Sequence, residues 1–289
     1  MTESYEQIVE NPEYYLDEGL VHEVYADEHL VYKVPKPEFT EFHQPEHFFI
    51  EQASLAALSD EGVPTPRIHE IVTEPDVTGG RPILIEDRVS GTNVSQWPIT
   101  DAMIESVAAV YEAGHGIDVE GFGPLNSGLA GSYDTWGEYL SEAVSEAVDY
   151  VTRKHLLGVD VCPEFEKLTR SLVNGESCSR EKFVFTDLNL SNVFFEDGQV
   201  RWVIDVDHPI GGDPLFDFGC MRWYNQELFQ RVTATRNFTS GDQTKIRAYE
   251  LLHGLTVLAW RDRNGLDTSV ERRRLHSVSE STSKLRERL

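Results

Sequence analysis

Lysine is scarce in this chain, and basic residues are outnumbered two to one. Seven Lys and 18 Arg face 50 Asp and Glu over 289 residues, a formal net charge of −25. Such a balance repels phosphate polyanions at long range, which argues against nucleic acid and anionic membranes as partners. Long apolar runs are missing too, and none approaches the roughly 18 residues that span a bilayer. The three cysteines, Cys162, Cys178 and Cys220, have no paired metal spacing and cannot all pair with one another. Reduced thiols in a cytoplasmic protein are the expectation. The start, Met1-Thr2-Glu3-Ser4-Tyr5-Glu6, is acidic and lacks an apolar h-region, so no signal peptide is expected. No internal repeat or low-complexity tract stands out. Abundant carboxylates with few lysines suit concentrated salt. Screening of self-repulsion then predicts a melting temperature that rises from low to molar KCl, and a flat response would rule the adaptation out.

What is present is enough apolar sequence, 40% of residues, for one large domain or two lobes. Val21-His22-Glu23-Val24-Tyr25 and Leu30-Val31-Tyr32-Lys33-Val34 predict a hairpin around the polar turn Ala26-Asp27-Glu28-His29. From Glu46 to Leu58, Phe49, Ala53, Ala56 and Ala57 recur at helical spacing, and Gly62 with Pro64 closes the helix. Further strands are expected over Ile68 to Val72 and Pro82 to Ile85, and Ser90-Gly91-Thr92 reads as a hinge. Helices then dominate: Asp101 to His115, Thr135 to roughly Leu156, and about Glu164 to Val173. Asn192 to Phe195 and Val200 to Ile204 flank Asp197-Gly198, a two-residue hairpin turn. From Leu215 onward the chain reads as mostly helical. A β-rich start and a helical remainder with one embedded hairpin make an α+β, two-lobed pattern, with lobes over residues 1–87 and 88–289.

The most informative stretch is Phe185-Thr186-Asp187-Leu188-Asn189-Leu190-Ser191-Asn192, followed by Val203-Ile204-Asp205 and then Gly212-Asp213-Pro214-Leu215-Phe216-Asp217. The loop offers Asp187 and Asn192, and the hairpin returns the chain so that Asp205 faces them. Phosphoryl transfer needs such a set: hard oxygen ligands for Mg²⁺ beside a carboxylate that orients the attacking hydroxyl. Asp213 and Asp217 read as buried carboxylates that hold the loop and start the next helix.

This series resembles the aminoglycoside phosphotransferase and choline-kinase-like family, whose usual text is His-Gly-Asp-x-His-x-x-Asn, then Ile-Asp, then Gly-Asp-Pro-x-x-Asp. Gly116-Ile117-Asp118-Val119-Glu120-Gly121-Phe122-Gly123, Tyr133-Asp134-Thr135-Trp136 and Glu61-Gly62-Val63-Pro64 are similar to segments of the same enzymes. The resemblance covers roughly residues 16 to 260. It implies a bilobal protein-kinase-like fold. It also implies a catalytic role for Asp187 and metal-binding roles for Asn192 and Asp205. Lys33 would contact the α- and β-phosphates of ATP or GTP with Glu51 as its partner, Glu46 being the alternative. Pro82 to Gly91 would be the hinge, placing Glu86 and Arg88 beside the base, where backbone groups make the contact. Phe185-Thr186 stands where the family writes His-Gly, and Asn189 where it writes the second His. Only Val206 to Gly212 separates Asp205 from Asp213, too short for a peptide-docking activation segment. The expected activity is Mg²⁺-dependent transfer of a γ-phosphate to an alcohol group of a small molecule. The runner-up is a nucleotide-binding module without catalysis.

Overall fold

The computed structural model of the chain describes residues 4–93, 98–157, 181–234 and 236–286. The helix expected near Glu164 to Val173, together with Cys162 and Cys178, lies outside the described residues. In chain order come α1 (Tyr5–Glu10), β1 (Tyr15–Glu18), β2 (His22–Ala26), β3 (Leu30–Pro35) and α2 (Glu46–Asp60). Next are β4 (Ile68–Val72), β5 (Ile83–Asp87), β6 (Thr92–Asn93), α3 (Asp101–Gly116), β7 (Phe122–Leu125), β8 (Gly131–Tyr133) and α4 (Trp136–Arg153). The stretch from Lys182 to Gly212 contributes β9 (Lys182–Val184), β10 (Val193–Glu196), β11 (Gln199–Val203) and β12 (Ile210–Gly212). Four helices finish the chain: α5 (Leu215–Tyr224), α6 (Gln226–Thr233), α7 (Ser240–Arg263) and α8 (Ser269–Arg286).

These elements form two compact units. Unit 1 comprises Met1–Ile117, Leu125–Ala130 and Leu188–Pro209, and unit 2 comprises Asp118–Pro124, Gly131–Asp187 and Ile210–Leu289. Residue 87, the sequence-based lobe boundary, is the last residue of β5 and falls within unit 1.

Unit 1 is built on an antiparallel sheet of order β1-β2-β3-β5-β4. The central strand β3 is buried on both faces, so its alternation sorts side chains by partner and not by exposure. Tyr32 and Val34 face one way, and pack with Ile8, Ile83 and Ile85 into one apolar cluster. Lys33 therefore points to the other face. Helix α2 ends where Gly62 takes a φ of +83°, with the Val63 N–H reaching back to the Leu58 carbonyl (3.0 Å). That six-residue closure is the glycine C-cap the sequence signalled. The next residue, Pro64, gives its carbonyl to the Val203 N–H (2.9 Å), which ties α2 to the second hairpin. In that hairpin Glu196 pairs with Gln199 across Asp197 and Gly198, both at positive φ (51° and 77°). This is the backbone twist a two-residue turn demands. β6 adds to β10 as a third strand, which the hinge reading of Ser90-Gly91-Thr92 did not foresee.

Unit 2 is mainly helical, with a small sheet of order β8-β7-β12-β9. Thr135 caps α4: its hydroxyl accepts from the Glu138 N–H (3.2 Å), while Glu138 accepts from the Thr135 N–H (3.1 Å). Trp136, Leu140, Val144 and Val151 line the buried face of α4, against Tyr249, Leu252, Leu255 and Leu258 from α7. Helix α5 lies so close to α7 that a Cβ on Gly219 would sit 2.7 Å from the Glu250 nitrogen. Only glycine allows that approach. Among the described residues no helix is long and apolar enough to cross a membrane.

Candidate active site

In unit 1 the face of the sheet carrying Lys33 gathers charge in a dry setting. The Lys33 ammonium lies 2.9 Å from Glu51 Oε1 on α2 and 2.9 Å from Glu86 Oε1 on β5. It also donates to Asp205 Oδ1, from a residue 172 positions further along the chain. The side chains of Lys33, Glu51 and Glu86 are 6%, 2% and 4% exposed, whereas that of Asp205 is 43% exposed. Burial alone would drive the ammonium toward neutrality. The carboxylates of Asp205, Glu51 and Glu86 outweigh it and hold Lys33 well above the ordinary lysine value. Burial pushes the Glu51 and Glu86 carboxyls up, with Lys33 pulling the other way. For Asp205 the lysine prevails over burial, and its carboxyl is held low.

Lys33, Glu51 and Asp205 thus come together as the sequence suggested. Glu46, the alternative partner, instead accepts from the Ser127 N–H (3.2 Å). Glu86 does more than its backbone would, because its side chain is a third carboxylate on the lysine. Arg88 stands apart: its guanidinium donates to the Asp27 carbonyl (2.6 Å), and its N–H to the His29 carbonyl (2.8 Å). Asn192 ends a short 3₁₀ turn started by Asn189, whose side chain accepts from the Ser191 N–H (2.9 Å). The Ile204 N–H bonds to the Asn192 carbonyl (3.0 Å), so the hairpin delivers Asp205 immediately beyond Asn192's backbone partner. Asp205 then turns out of the strand in the left-handed region, φ +56°. Asp tolerates that region better than most residues, and such outliers gather where a side chain must be aimed. The start of this loop is held by Tyr111 of α3, a buried phenol donating to the Leu188 carbonyl (2.9 Å).

The chemistry of this group suits a hard divalent cation. Asp205 and Asn192 offer oxygen ligands, and the Asp205 carboxylate is the one of the three with substantial exposure. Among the described residues no group of three or more His, Cys, Asp or Glu is gathered for a metal. A Mg²⁺ held here would take its remaining ligands from phosphate oxygens and water, as that ion commonly does.

In unit 2 the segment before Asp187 is locked by a buried carboxylate. Asp217, 1% exposed, accepts from the Phe185 N–H (3.0 Å) and the Thr186 N–H (2.8 Å). Asp213 accepts from the Leu215 N–H (3.0 Å) at the start of α5 and from the Tyr249 hydroxyl (3.0 Å). Trp136 Nε1 donates in turn to Tyr249 (2.9 Å). Asp217 therefore holds the loop and Asp213 starts α5, the two roles read from the sequence for this pair. Phe185 is buried edge-on against Phe183, with ring centroids 5.3 Å apart. Apolar packing thus occupies the position of the family histidine. Tyr224, which the sequence reading passed over, hydrogen-bonds the Asp187 side chain. Burial, followed by the Asp187 charge, pushes its phenol far above the usual tyrosine value. Spacing could not have found it, since the two lie 37 positions apart in the chain.

Thr186 takes the family glycine's place at φ +63°. A β-branched residue is strained there by roughly 1–3 kcal/mol. Thr186→Gly should therefore raise the unfolding free energy by about 1 kcal/mol, after the greater freedom of glycine in the unfolded chain is subtracted. Urea denaturation measures it, and an unchanged or lower stability would refute the strain.

The sequence model of the phosphotransferase enzyme family matches residues 10–254. No curated protein matches the chain. Among solved structures, a thermostable aminoglycoside phosphotransferase APH(4)-Ia in ternary complex with AMP-PNP and hygromycin B aligns with a TM-score of 0.73. Identity is 20%, covering 92% of each chain. The apo form of a thermostable mutant of the same enzyme gives 0.75 at 21% identity, covering 92% of this chain and 93% of that one. The GDP and kanamycin complex of APH(2")-IIIa gives 0.69 at 15% identity, covering 93% and 92%. Likeness at these identities establishes the fold, the bilobal protein-kinase-like α+β architecture.

Proposed function

We propose, from the premise that the chain belongs to the phosphotransferase enzyme family, that it is a small-molecule kinase. It transfers the γ-phosphate of ATP or GTP to a hydroxyl of a metabolite or antibiotic. The observation that carries this reading is the buried Lys33 held by Glu51 from α2 and Asp205 from the second hairpin. A lysine kept charged in a dry setting, next to the aspartate expected to take the metal, suits a polyphosphate. In support, structural neighbours were solved with AMP-PNP, ADP or GDP and with hygromycin B or kanamycin.

In this reading Lys33 neutralises the α- and β-phosphates while Glu51 keeps it aimed. Asn192 and Asp205 would hold Mg²⁺, which when bound shields the phosphate charge. Asp187 orients the acceptor hydroxyl and takes its proton, and Tyr224 fixes the carboxylate that does so. Hydrogen bonds from the Phe185 and Thr186 N–H groups to Asp217 hold the backbone just before Asp187 in place. Partners are thus a nucleotide and a small acceptor, in the cytoplasm where nucleotides are supplied. The excess of negative charge disfavours nucleic acid and anionic membranes.

The test is a phosphotransfer assay with ATP or GTP, Mg²⁺ and a panel of hydroxylated and cationic acceptors. Wild type should turn over at least one acceptor, and Asp187→Ala should not. Equal rates for the two proteins across the panel would leave the alternative, a nucleotide-binding module without catalysis. The replacement of His-Gly by Phe185-Thr186 is the feature that favours that alternative.

A further inference from the structure

An ammonium group has three N–H donors and no acceptor. All three donors of Lys33 are matched here, by Glu51, Glu86 and Asp205. A lysine so saturated has nothing left to offer a phosphate. A kinase lysine needs one glutamate to aim it, and Glu51 already fills that role. Glu86 is therefore a surplus, and its position is not incidental. Register pairs Leu84 with Lys33 and Glu86 with Val31, so Glu86 lies on the lysine's face of the sheet. Its second oxygen, Oε2, is buried and has no hydrogen-bond partner. An unpaired carboxylate oxygen in a dry interior is costly.

Three carboxyl groups surround one ammonium, so its charge and its N–H donors are taken up before a polyphosphate arrives. One carboxylate must let go before a phosphate can replace it. Glu51 and Glu86 are buried, whereas Asp205 is 43% exposed and is the assigned metal ligand. Asp205 can turn away from Lys33 when another cation takes over its charge. A lysine N–H is then freed while Glu51 and Glu86 still hold the ammonium from two sides.

We propose that Glu86 is a positioning residue that makes nucleotide binding conditional on a divalent cation, by keeping Lys33 saturated until Asp205 is drawn off. This inference rests on the kinase reading above. It assigns to Glu86 a charge-gating role, distinct from the backbone contact expected of a hinge residue.

The experiment is calorimetric titration of ADP and ATP into wild type, Glu86→Gln and Glu86→Leu, once in EDTA and once with excess MgCl₂. Gln keeps the volume and one lysine acceptor but removes the charge, and Leu removes both acceptor oxygens. For wild type the dissociation constant should be roughly 30-fold weaker in EDTA, a coupling of ordinary size. In both variants the ratio should fall to within about 5-fold, chiefly through tighter binding in EDTA. Melting curves establish that each variant is folded, and if Leu is not tolerated, Gln decides. A ratio unchanged in the folded variants, or a wild type that binds equally well with and without Mg²⁺, overturns the role of Glu86 and leaves the kinase reading standing. No binding of either nucleotide to wild type under both conditions overturns the kinase reading, and this inference with it.

Discussion

Replacing Lys33 with methionine should lower the unfolding free energy by about 3–5 kcal/mol near neutral pH, the usual cost of stranding a buried ion-pair partner. The side-chain volumes are similar, so packing contributes little. The loss comes from Glu51 and Glu86, 2% and 4% exposed, left without their cation. The penalty should depend on pH, and the sign follows from the shifts. Burial raises the Glu51 and Glu86 carboxyls in the folded state, so their contribution to stability falls as pH rises through those raised values. In wild type Lys33 limits that fall. Its own raised ammonium contributes fully below the ordinary lysine range and is lost only at higher pH. Asp205, held low, contributes above the ordinary aspartate range and loses that contribution in acid. Without Lys33 the two glutamates move further up. The penalty should then be small toward about pH 5, where both are protonated with or without Lys33, and grow as pH rises through about 8, the raised Glu51 value. Neighbouring imidazoles do not compensate: burial, followed by the Lys33 charge, pushes His22 down to about 3, and burial also lowers His47. Urea melts of both proteins at the two pH values decide it, and a penalty that does not vary with pH would contradict the assignment. Nucleotide affinity should fall as well, since no other lysine is placed on that face of β3.

Asp187→Ala should reduce kcat by about 10²–10⁴-fold, the range for losing a positioned general base. Because Asp187 is assigned to the acceptor hydroxyl and not to the nucleotide, nucleotide binding should change little. A fall in kcat without a matching rise in the nucleotide's KM is the mark of an interaction made in the transition state. Stability should drop by only about 1 kcal/mol, as the Tyr224 hydroxyl loses an acceptor. A variant that kept wild-type kcat would remove Asp187 from the chemistry, whatever the nucleotide site does.

Much of the fold was legible because its signals are local. The Asp197-Gly198 turn, the Gly62 helix stop and the stretch Ile68 to Val72 each depend on a few adjacent residues, and each is found where expected. Helix α4 begins at Trp136, one residue past its Thr135 cap. It ends at Arg153, short of Leu156, because the chain turns into a left-handed residue at His155 (φ 53°). The early strand β1 and helix α1 went unread. Tyr15-Leu16-Asp17-Glu18 alternates weakly and sits at the edge of its sheet, where pairing with β2 supplies the order that side-chain pattern does not. The small sheet of unit 2 escaped for a related reason: its strands are three or four residues long and three of them contain glycine.

By itself the sequence determined which groups are proposed for the chemistry. Lys33 in an apolar strand, the Asp187 to Asn192 spacing and Asp205 after a hairpin are consequences of short-range order, and short-range order is written in neighbouring residues. Only the tertiary structure decided how those groups are constrained: Glu86 as a third acceptor on Lys33, Asp217 clasping the loop ahead of Asp187, Tyr224 on the Asp187 carboxylate. Each of these contacts depends on strand register or helix packing between segments distant in the chain. Such pairing follows from burying both partners together, a property of the whole core that no local pattern encodes.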